Sequence, residues 1–208
     1  AAAYGGLNCI TFSKENVSVE PLCLLPEVRL ALEENLMLFF SGVSPRSSSI
    51  LQRQKQAARK ADKVFVRRLG VIKELGLGMR VALESSDLET FGELLHRSWL
   101  IKRELVKGIT NPLLDRCYEV ALVNGALGGK VTGAGGGGFL MLYCPRDQQK
   151  AVTDALGELG VERWPLTLTE EGVQIMQFVP WSRQQALSTM SWAQSAMAHG
   201  AAFAVGPL

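Results

Sequence analysis

The first 40 residues alternate short apolar runs with polar turns, a pattern typical of β-strands. Residues 7–12 (LNCITF) and 17–22 (VSVEPL) are separated by a polar turn and predict a β-hairpin. A helical pattern over 26–34 begins on a proline, which is a favoured first helical residue. The uninterrupted apolar run at 36–40 (LMLFF) predicts a strand that is buried on both faces.

Helical patterns dominate the middle of the chain. Residues 50–84 are rich in Lys, Arg, Ala, Leu and Glu, and three glycines in the second half of this stretch predict a break. Asp87 predicts the N-cap of a second helix, at about 88–106. A third helix is predicted from Asn111-Pro112 to about residue 123.

A glycine-rich stretch at 125–138 separates these helices from the last elements. It leads into a strongly apolar strand at 139–144, a helical pattern at 147–158, and strand patterns at 163–169 and 173–179. The order strand, helices, strand, helix, strand, strand predicts an α+β fold. We expect an antiparallel or mixed sheet with helices covering one face.

The composition excludes several classes of protein. Hydrophobic residues make up 47% of the chain and the net charge is only +2, which argues against nucleic acid or an anionic membrane as a partner. No stretch is apolar enough to span a bilayer and the N-terminus lacks a basic region, so a cytoplasmic protein is predicted. Four cysteines with apolar neighbours and without a C-x-x-C pair predict buried, reduced thiols, and two histidines make a zinc site improbable.

The run Gly-Ala-Gly-Gly-Gly-Gly at 133–138 is the first candidate for chemistry. Consecutive glycines let backbone N–H groups converge on phosphate oxygens without interference from a Cβ atom. A tightly packed turn before a strand has the same composition, so both interpretations stay open on the residues alone. The spacing G-x-G-x-x-G is no dinucleotide fingerprint here, because an apolar strand follows where that motif requires a helix.

The predicted helix at 88–106 carries an apolar stripe that includes Trp99 and ends at Lys102. Gly92 lies on the same stripe and predicts the close approach of a neighbouring element or a ligand. Lys102 either extends past the helix end into water or reaches an anionic ligand in a cleft. The residues alone leave both possibilities open.

Other candidates lie close to predicted element ends. Arg46, in the Ser/Pro loop after the LMLFF strand, is either a solvated arginine or a bidentate phosphate ligand. Thr110 and Asn111 precede the third helix, where capping is their expected role. Asp115 is expected to be a structural partner, and for His96 a surface or packing role and ligand contact are equally open.

The stretch KVTGAGGGGF at 130–139 resembles the third conserved motif of the GHMP kinases, which are named after galactokinase, homoserine kinase, mevalonate kinase and phosphomevalonate kinase. Further blocks resemble the branch that phosphorylates D-glycero-D-manno-heptose 7-phosphate on its anomeric hydroxyl. The resemblance covers roughly residues 1–178 and its blocks occur in the family's order: 1–9, 36–51, 91–111 and 115–144.

The resemblance implies a chain divided into three parts. Residues 1–35 are expected to be a remnant of the family's N-terminal, ATP-binding half, and 36–179 its ferredoxin-like C-terminal domain. Residues 180–208 are interpreted as a tail without an assigned role. No Gly-Leu-Gly-Ser-Ser donor loop occurs, and the family's presumed catalytic Asp lies in a stretch that precedes Ala1. We therefore expect no catalytic residue within the chain and no activity from the chain by itself.

The same resemblance implies a kinase that uses ATP and Mg²⁺ in its intact form, with a sugar phosphate as acceptor and no metal ligand in this half. A side chain at Gly135 is expected to occupy space needed by phosphate or by neighbouring backbone, so Gly135→Val in the intact enzyme should lower turnover severely and leave the fold largely intact. The residues expected at the ATP phosphates are Thr132, Gly133, Ala134, Gly135, Gly136 and Gly137. Those expected at the sugar phosphate are Arg46, Trp99, Lys102, Thr110 and Asn111.

A rival hypothesis is a non-catalytic ferredoxin-like module that binds a small anion or a partner chain. The expected partners of the kinase are a sugar phosphate and the missing N-terminal half, with neither nucleic acid nor membrane. Separating two halves of a domain pair exposes apolar surface, which leaves a homo-oligomer open.

Overall fold

The computed structural model describes residues 3–13, 15–42, 47–60 and 62–174. The chain divides into two compact units, 1–172 and 173–208. Because the described residues end at 174, the predicted tail at 180–208 lies outside them, as do Arg46 and most of the strand predicted at 173–179. Residues 173 and 174 have no regular secondary structure.

The first unit opens with the predicted hairpin. Strands β1 (Asn8–Phe12) and β2 (Val17–Pro21) are antiparallel, with Asn8 opposite Pro21 and Phe12 opposite Val17. Helix α1 (Pro26–Asn35) follows and leads directly into strand β3 (Leu36–Phe40). The sequence predicted all four elements close to their observed bounds.

Four strands form the main sheet: β3, β4 (Gly128–Val131), β5 (Phe139–Tyr143) and β6 (Glu162–Trp164). Their spatial order is β4-β5-β3-β6, and every neighbouring pair is antiparallel. This is the order of a ferredoxin-like β-α-β-β-α-β sheet in which several helices replace the first one. The predicted α+β, ferredoxin-like fold is confirmed.

The helices between β3 and β4 are α2 (Ser47–Arg59), α3 (Lys63–Glu84), α4 (Leu88–Lys102) and α5 (Pro112–Val123), and α6 (Gln149–Gly157) joins β5 to β6. The break in the long helical stretch falls between α2 and α3, not at the glycines as predicted. The Asp62 carboxylate accepts hydrogen bonds from the N–H groups of Val64 and Phe65, at 2.9 and 3.0 Å, and so begins α3. The three glycines lie within α3, which tertiary packing keeps continuous.

Three other elements differ from the prediction. Helix α4 ends at Lys102 instead of about residue 106, and a turn leads to Gly108, whose φ of +97° suits glycine. Strand β4 was not predicted, because its sequence GGKV contains two glycines. Strand β6 stops at Trp164, since Pro165 has no N–H group to continue the ladder.

The core consists of two apolar clusters on opposite faces of the sheet. One contains Met37 and Phe39 of β3 and Leu140 and Leu142 of β5, packed with side chains of α5 and α6. The alternating positions of the strands, such as Tyr143, belong to the second cluster with side chains of α1, α3 and α4. Buried helical side chains therefore lie on both faces, where the sequence predicted one.

Helix α4 lies directly against strand β4 through two glycines. A Cβ atom built on Gly128 would fall on the carbonyl oxygen of Gly92, and one on Gly92 would lie 2.7 Å from Cδ1 of Tyr143. The close approach predicted for Gly92 is thus made by a neighbouring strand. This contact fixes the end of α4, and with it Lys102, beside the loop that follows β4.

Candidate functional site

The glycine-rich loop at 132–138 connects β4 to β5. Gly133, Gly135, Gly136 and Gly138 have φ values of +68°, +99°, +83° and +80°, a region that other residues adopt only at a cost. The N–H of Thr132 donates to the carbonyl of Phe139, at 2.9 Å, and closes the base of the loop. The conformation therefore requires glycine at several positions whatever the loop binds.

The middle of this loop and its two ends have different surroundings. A Cβ atom on Gly135 would lie 2.5 Å from the carbonyl oxygen of Ile109, while one on Gly133 or Gly138 would meet nothing within 4 Å. The N–H of Gly136 donates to the same Ile109 carbonyl, at 2.7 Å, and is not available to a ligand. The middle of the loop is a packed turn, and the start of the loop is open.

The open start of the loop adjoins Lys102. The Lys102 ammonium donates to the carbonyl oxygen of Gly133, at 3.2 Å. The side chain is half-buried, and burial, followed by the positive charge of Lys130, lowers the pKa of Lys102 to about 8. The structure thus brings together two features that the sequence singled out separately, the end of the α4 stripe and the glycine loop.

A cavity of about 380 Å³ lies next to this lysine and is lined by residues of α2, α3, α4 and β4. Its walls are mainly apolar, and its polar lining consists of Gln54, Ser98, Lys102 and Lys130. Trp99 forms part of the wall with 1% of its surface exposed, and its indole N–H has no hydrogen-bond partner among the described residues. The volume falls within the range of small-molecule sites.

Thr110 and Asn111 hold the segment before α5 against the loop. The Asn111 side-chain carbonyl accepts from the N–H of Leu114, at 3.0 Å, and its amide group donates to the carbonyl of Gly136, at 3.1 Å. The Thr110 hydroxyl donates to Asp115, at 2.9 Å. The capping role of Asn111 and the structural role of Asp115 agree with the prediction. The substrate contacts predicted for Thr110 and Asn111 stay predictions.

His96 occupies a packing position. Its Nδ1 lies 2.8 Å from the hydroxyl of Tyr118, and the two rings are nearly parallel. Burial, and then the charge of Arg103, lower the pKa of His96, so the ring is neutral at pH 7. The geometry therefore favours a packing role for His96 over contact with a ligand.

Lys130 is a site residue that the sequence reasoning missed. It lies in β4 beside Val131, which is fully buried in the cluster with Leu140, so the alternation of a strand directs Lys130 to the opposite face. Recognition of a strand at 128–131 would have given this signal.

The described residues contain no group of three or more His, Cys, Asp or Glu side chains arranged to hold a metal ion. In the described ranges, no helix is long and apolar enough to cross a membrane.

Residues 79–162 match the family model for the C-terminal part of the GHMP kinases. The fold of this chain is that of a GHMP kinase C-terminal domain, as structural neighbours also show. One of them, the mevalonate kinase of L. major in complex with R-mevalonate, is 19% identical, with a TM-score of 0.63 over 77% of this chain and 48% of that one.

Among curated proteins, the chain is similar to the D-glycero-alpha-D-manno-heptose 7-phosphate kinase of Campylobacter jejuni, with 29% identity over 84% of this chain and 51% of that protein. A solved structure of a putative sugar kinase from Campylobacter jejuni is 26% identical, with a TM-score of 0.60 over 83% of this chain and 48% of that one. The galactokinase of Candida parapsilosis is 30% identical over 77% of this chain and 31% of that protein. The chain spans about half the length of the heptose kinase relative.

Proposed function

We propose that this chain is the C-terminal part of an ATP-dependent kinase that transfers the γ-phosphoryl group to a hydroxyl of a sugar phosphate, of the heptose 7-phosphate type. The observation that carries the proposal is the ammonium group of Lys102, held at the carbonyl of Gly133 beside an open glycine loop. The similarity to a heptose 7-phosphate kinase supports a phosphorylated sugar as the acceptor.

In this proposal the chain contributes position and charge. Phosphoryl transfer depends mainly on aligning the reactants and neutralising their negative charge. Lys102 neutralises the phosphate of the acceptor, and the backbone at Thr132–Gly133 approaches the transferred group from the open side of the loop. Arg46 is proposed as a second cation for the acceptor phosphate. Trp99 forms a rigid wall of the site.

The donor belongs to the rest of the enzyme. ATP supplies the phosphoryl group, and the sequence contains no Gly-Leu-Gly-Ser-Ser loop to hold it. We therefore assign transfer to a polypeptide that includes an N-terminal half, and expect this chain by itself to show no sugar-dependent ATP turnover. Because ATP and sugar phosphates are intracellular metabolites, the proposed reaction belongs in the cytoplasm. A homo-oligomer stays a prediction.

The experiment that tests the proposal joins the N-terminal half of the Campylobacter jejuni relative in front of residue 1. Steady-state kinetics would be measured against heptose 7-phosphate and ATP for the parent and for Lys102→Met. Loss of a charge-assisted contact is expected to lower kcat/KM for the sugar phosphate by roughly 10- to 150-fold, with the KM for ATP little changed.

Lys150→Met provides a matched control, because Lys150 lies on α6 and is paired with Asp154 on the surface. It should behave like the parent. A folded fusion that binds heptose 7-phosphate without transferring phosphate would favour the rival, non-catalytic anion-binding module. Parent-like kinetics for Lys102→Met would show that Lys102 does not contact the acceptor phosphate, and would contradict the proposal.

Binding of the sugar phosphate is also expected to depend on pH. A phosphate monoester is a dianion above about pH 6, and Lys102, with a pKa of about 8 in the free chain, loses its proton as the pH rises through that value. Affinity should therefore be highest between these limits and fall by up to about tenfold per pH unit above pH 8. Isothermal titration from pH 6 to pH 9.5 measures the affinity for the sugar phosphate. In Lys102→Met, the fall in affinity above pH 8 should be much smaller.

A further inference from the structure

The two lysines of the cavity are an unusual pair. Lys102 lies at the end of α4 and Lys130 in β4, and both line the same cavity of about 380 Å³. Both are half-buried, and the charge of Lys130 contributes to the lowered pKa of Lys102, so the ammonium groups lie within electrostatic range of each other. Burial also lowers the pKa of Lys130.

Neither charge is neutralised within the described part of the chain. No described carboxylate forms an ion pair with either lysine, and no acidic residue is among those that line the cavity. The Lys102 ammonium has one neutral partner, the Gly133 carbonyl, and no hydrogen bond joins the Lys130 ammonium to a described residue. Buried charges are normally paired, since burial without an opposite charge is costly.

We propose that Lys102 and Lys130 together form a binding site for a phosphate dianion, and that Lys130 makes the enzyme select a phosphorylated acceptor over a free sugar. The phosphate site itself does not depend on the proposed function; only the identity of the acceptor rests on it. A dianion between two ammonium groups offsets their mutual repulsion, which a neutral sugar cannot do. The rigid contact between α4 and β4 at Gly92 and Gly128 keeps the spacing of the pair fixed.

The site lies beside the glycine loop, so its phosphate could come from the acceptor sugar or from ATP. We assign it to the acceptor. The cavity is lined mainly by helix residues and by none of the glycine loop, and Gln54 and Ser98 offer polar groups for sugar hydroxyls near the lysines. Separate titrations with the sugar phosphate and with ATP distinguish the two sources.

The test uses the chain itself with lysine side-chain NMR and inorganic phosphate as the probe. In the parent, saturating phosphate should raise the pKa of Lys102, because the anion favours the charged form. Lys130→Met should raise the pKa of Lys102 without phosphate and weaken phosphate binding by about 10- to 100-fold. Lys130→Arg should restore binding and Lys150→Met should leave it unchanged, with circular dichroism checking the fold of each variant.

Parent-like phosphate affinity in folded Lys130→Met, or phosphate binding that leaves the Lys102 signal unmoved, would overturn the proposal. Tighter competition by ATP than by the sugar phosphate would overturn its assignment to the acceptor. In the fusion, Lys130→Met should reduce the preference for heptose 7-phosphate over free heptose; a parent-like preference refutes the proposal and leaves the kinase function standing. If phosphate binds as expected but the fusion transfers no phosphoryl group, the kinase function is refuted and the phosphate-binding site stands.

Discussion

Replacing Gly135 with valine is expected to lower the free energy of unfolding by about 2–6 kcal/mol, as the sum of backbone strain and overpacking. Gly135 has a φ of +99°, where a β-branched residue is strongly disfavoured. Its Cβ atom would also lie 2.5 Å from the Ile109 carbonyl, which already accepts a hydrogen bond from Gly136. The loop and the segment before α5 that contains Ile109 cannot both keep their positions. Destabilisation is therefore expected in place of the largely intact fold predicted from the sequence. Urea denaturation measures the loss, and phosphoryl transfer by the fusion should be lost with it.

Gly133→Ala is the control for this prediction. Gly133 also has a positive φ, of +68°, but its Cβ would meet no atom within 4 Å, so only the backbone cost of about 1–2 kcal/mol applies. If Gly135→Val is no less stable than Gly133→Ala, the packing inferred between the loop and Ile109 is wrong.

Gly128→Ala is expected to destabilise the domain by about 3 kcal/mol, at the upper end of overpacking effects. The added Cβ would meet the Gly92 carbonyl and lie 2.8 Å from the N–H nitrogen of His96, both of them backbone atoms of α4. Because neither can move alone, the whole of α4 must shift away from β4. Thermal and urea unfolding would measure the effect.

Gly70→Ala is the matched control, since Gly70 lies inside α3 with no atom within 4 Å of a built Cβ. Alanine there should stabilise the helix by about 0.5–1 kcal/mol. A Gly128→Ala variant as stable as the parent would show that α4 does not lie against β4 as closely as described.

The elements that the sequence predicted well are those with a strong local signal. Strand β3 is a continuous apolar run, and α5 begins with an asparagine cap followed by proline. Strand β4 was missed because its glycines are selected by the close approach of α4, a contact between distant parts of the chain. The break before α3 was misplaced because one capping side chain, Asp62, outweighs several helix-disfavouring glycines.

The candidate site shows the same division between local and distant causes. The motif at 130–139 indicated the glycine loop, but not that Gly135 and Gly136 are committed to Ile109 while Gly133 stays open. Lys102 could be suggested from its helical stripe and its resemblance to the family. Lys130 could be suggested only after strand β4 was recognised, and its approach to Lys102 depends on the packing of α4 on β4.

We propose that the site beside the glycine loop receives the phosphate of the acceptor sugar. Titration of the ¹⁵N-labelled chain with heptose 7-phosphate and, separately, with unphosphorylated heptose tests this assignment, with amide and lysine side-chain signals recorded. We predict saturable shifts at Lys102, Lys130 and Gly133 with the phosphorylated sugar and none of comparable size with the free sugar. Equal shifts with both sugars, or shifts confined to residues away from the loop, would show that this site does not recognise the phosphate of the acceptor.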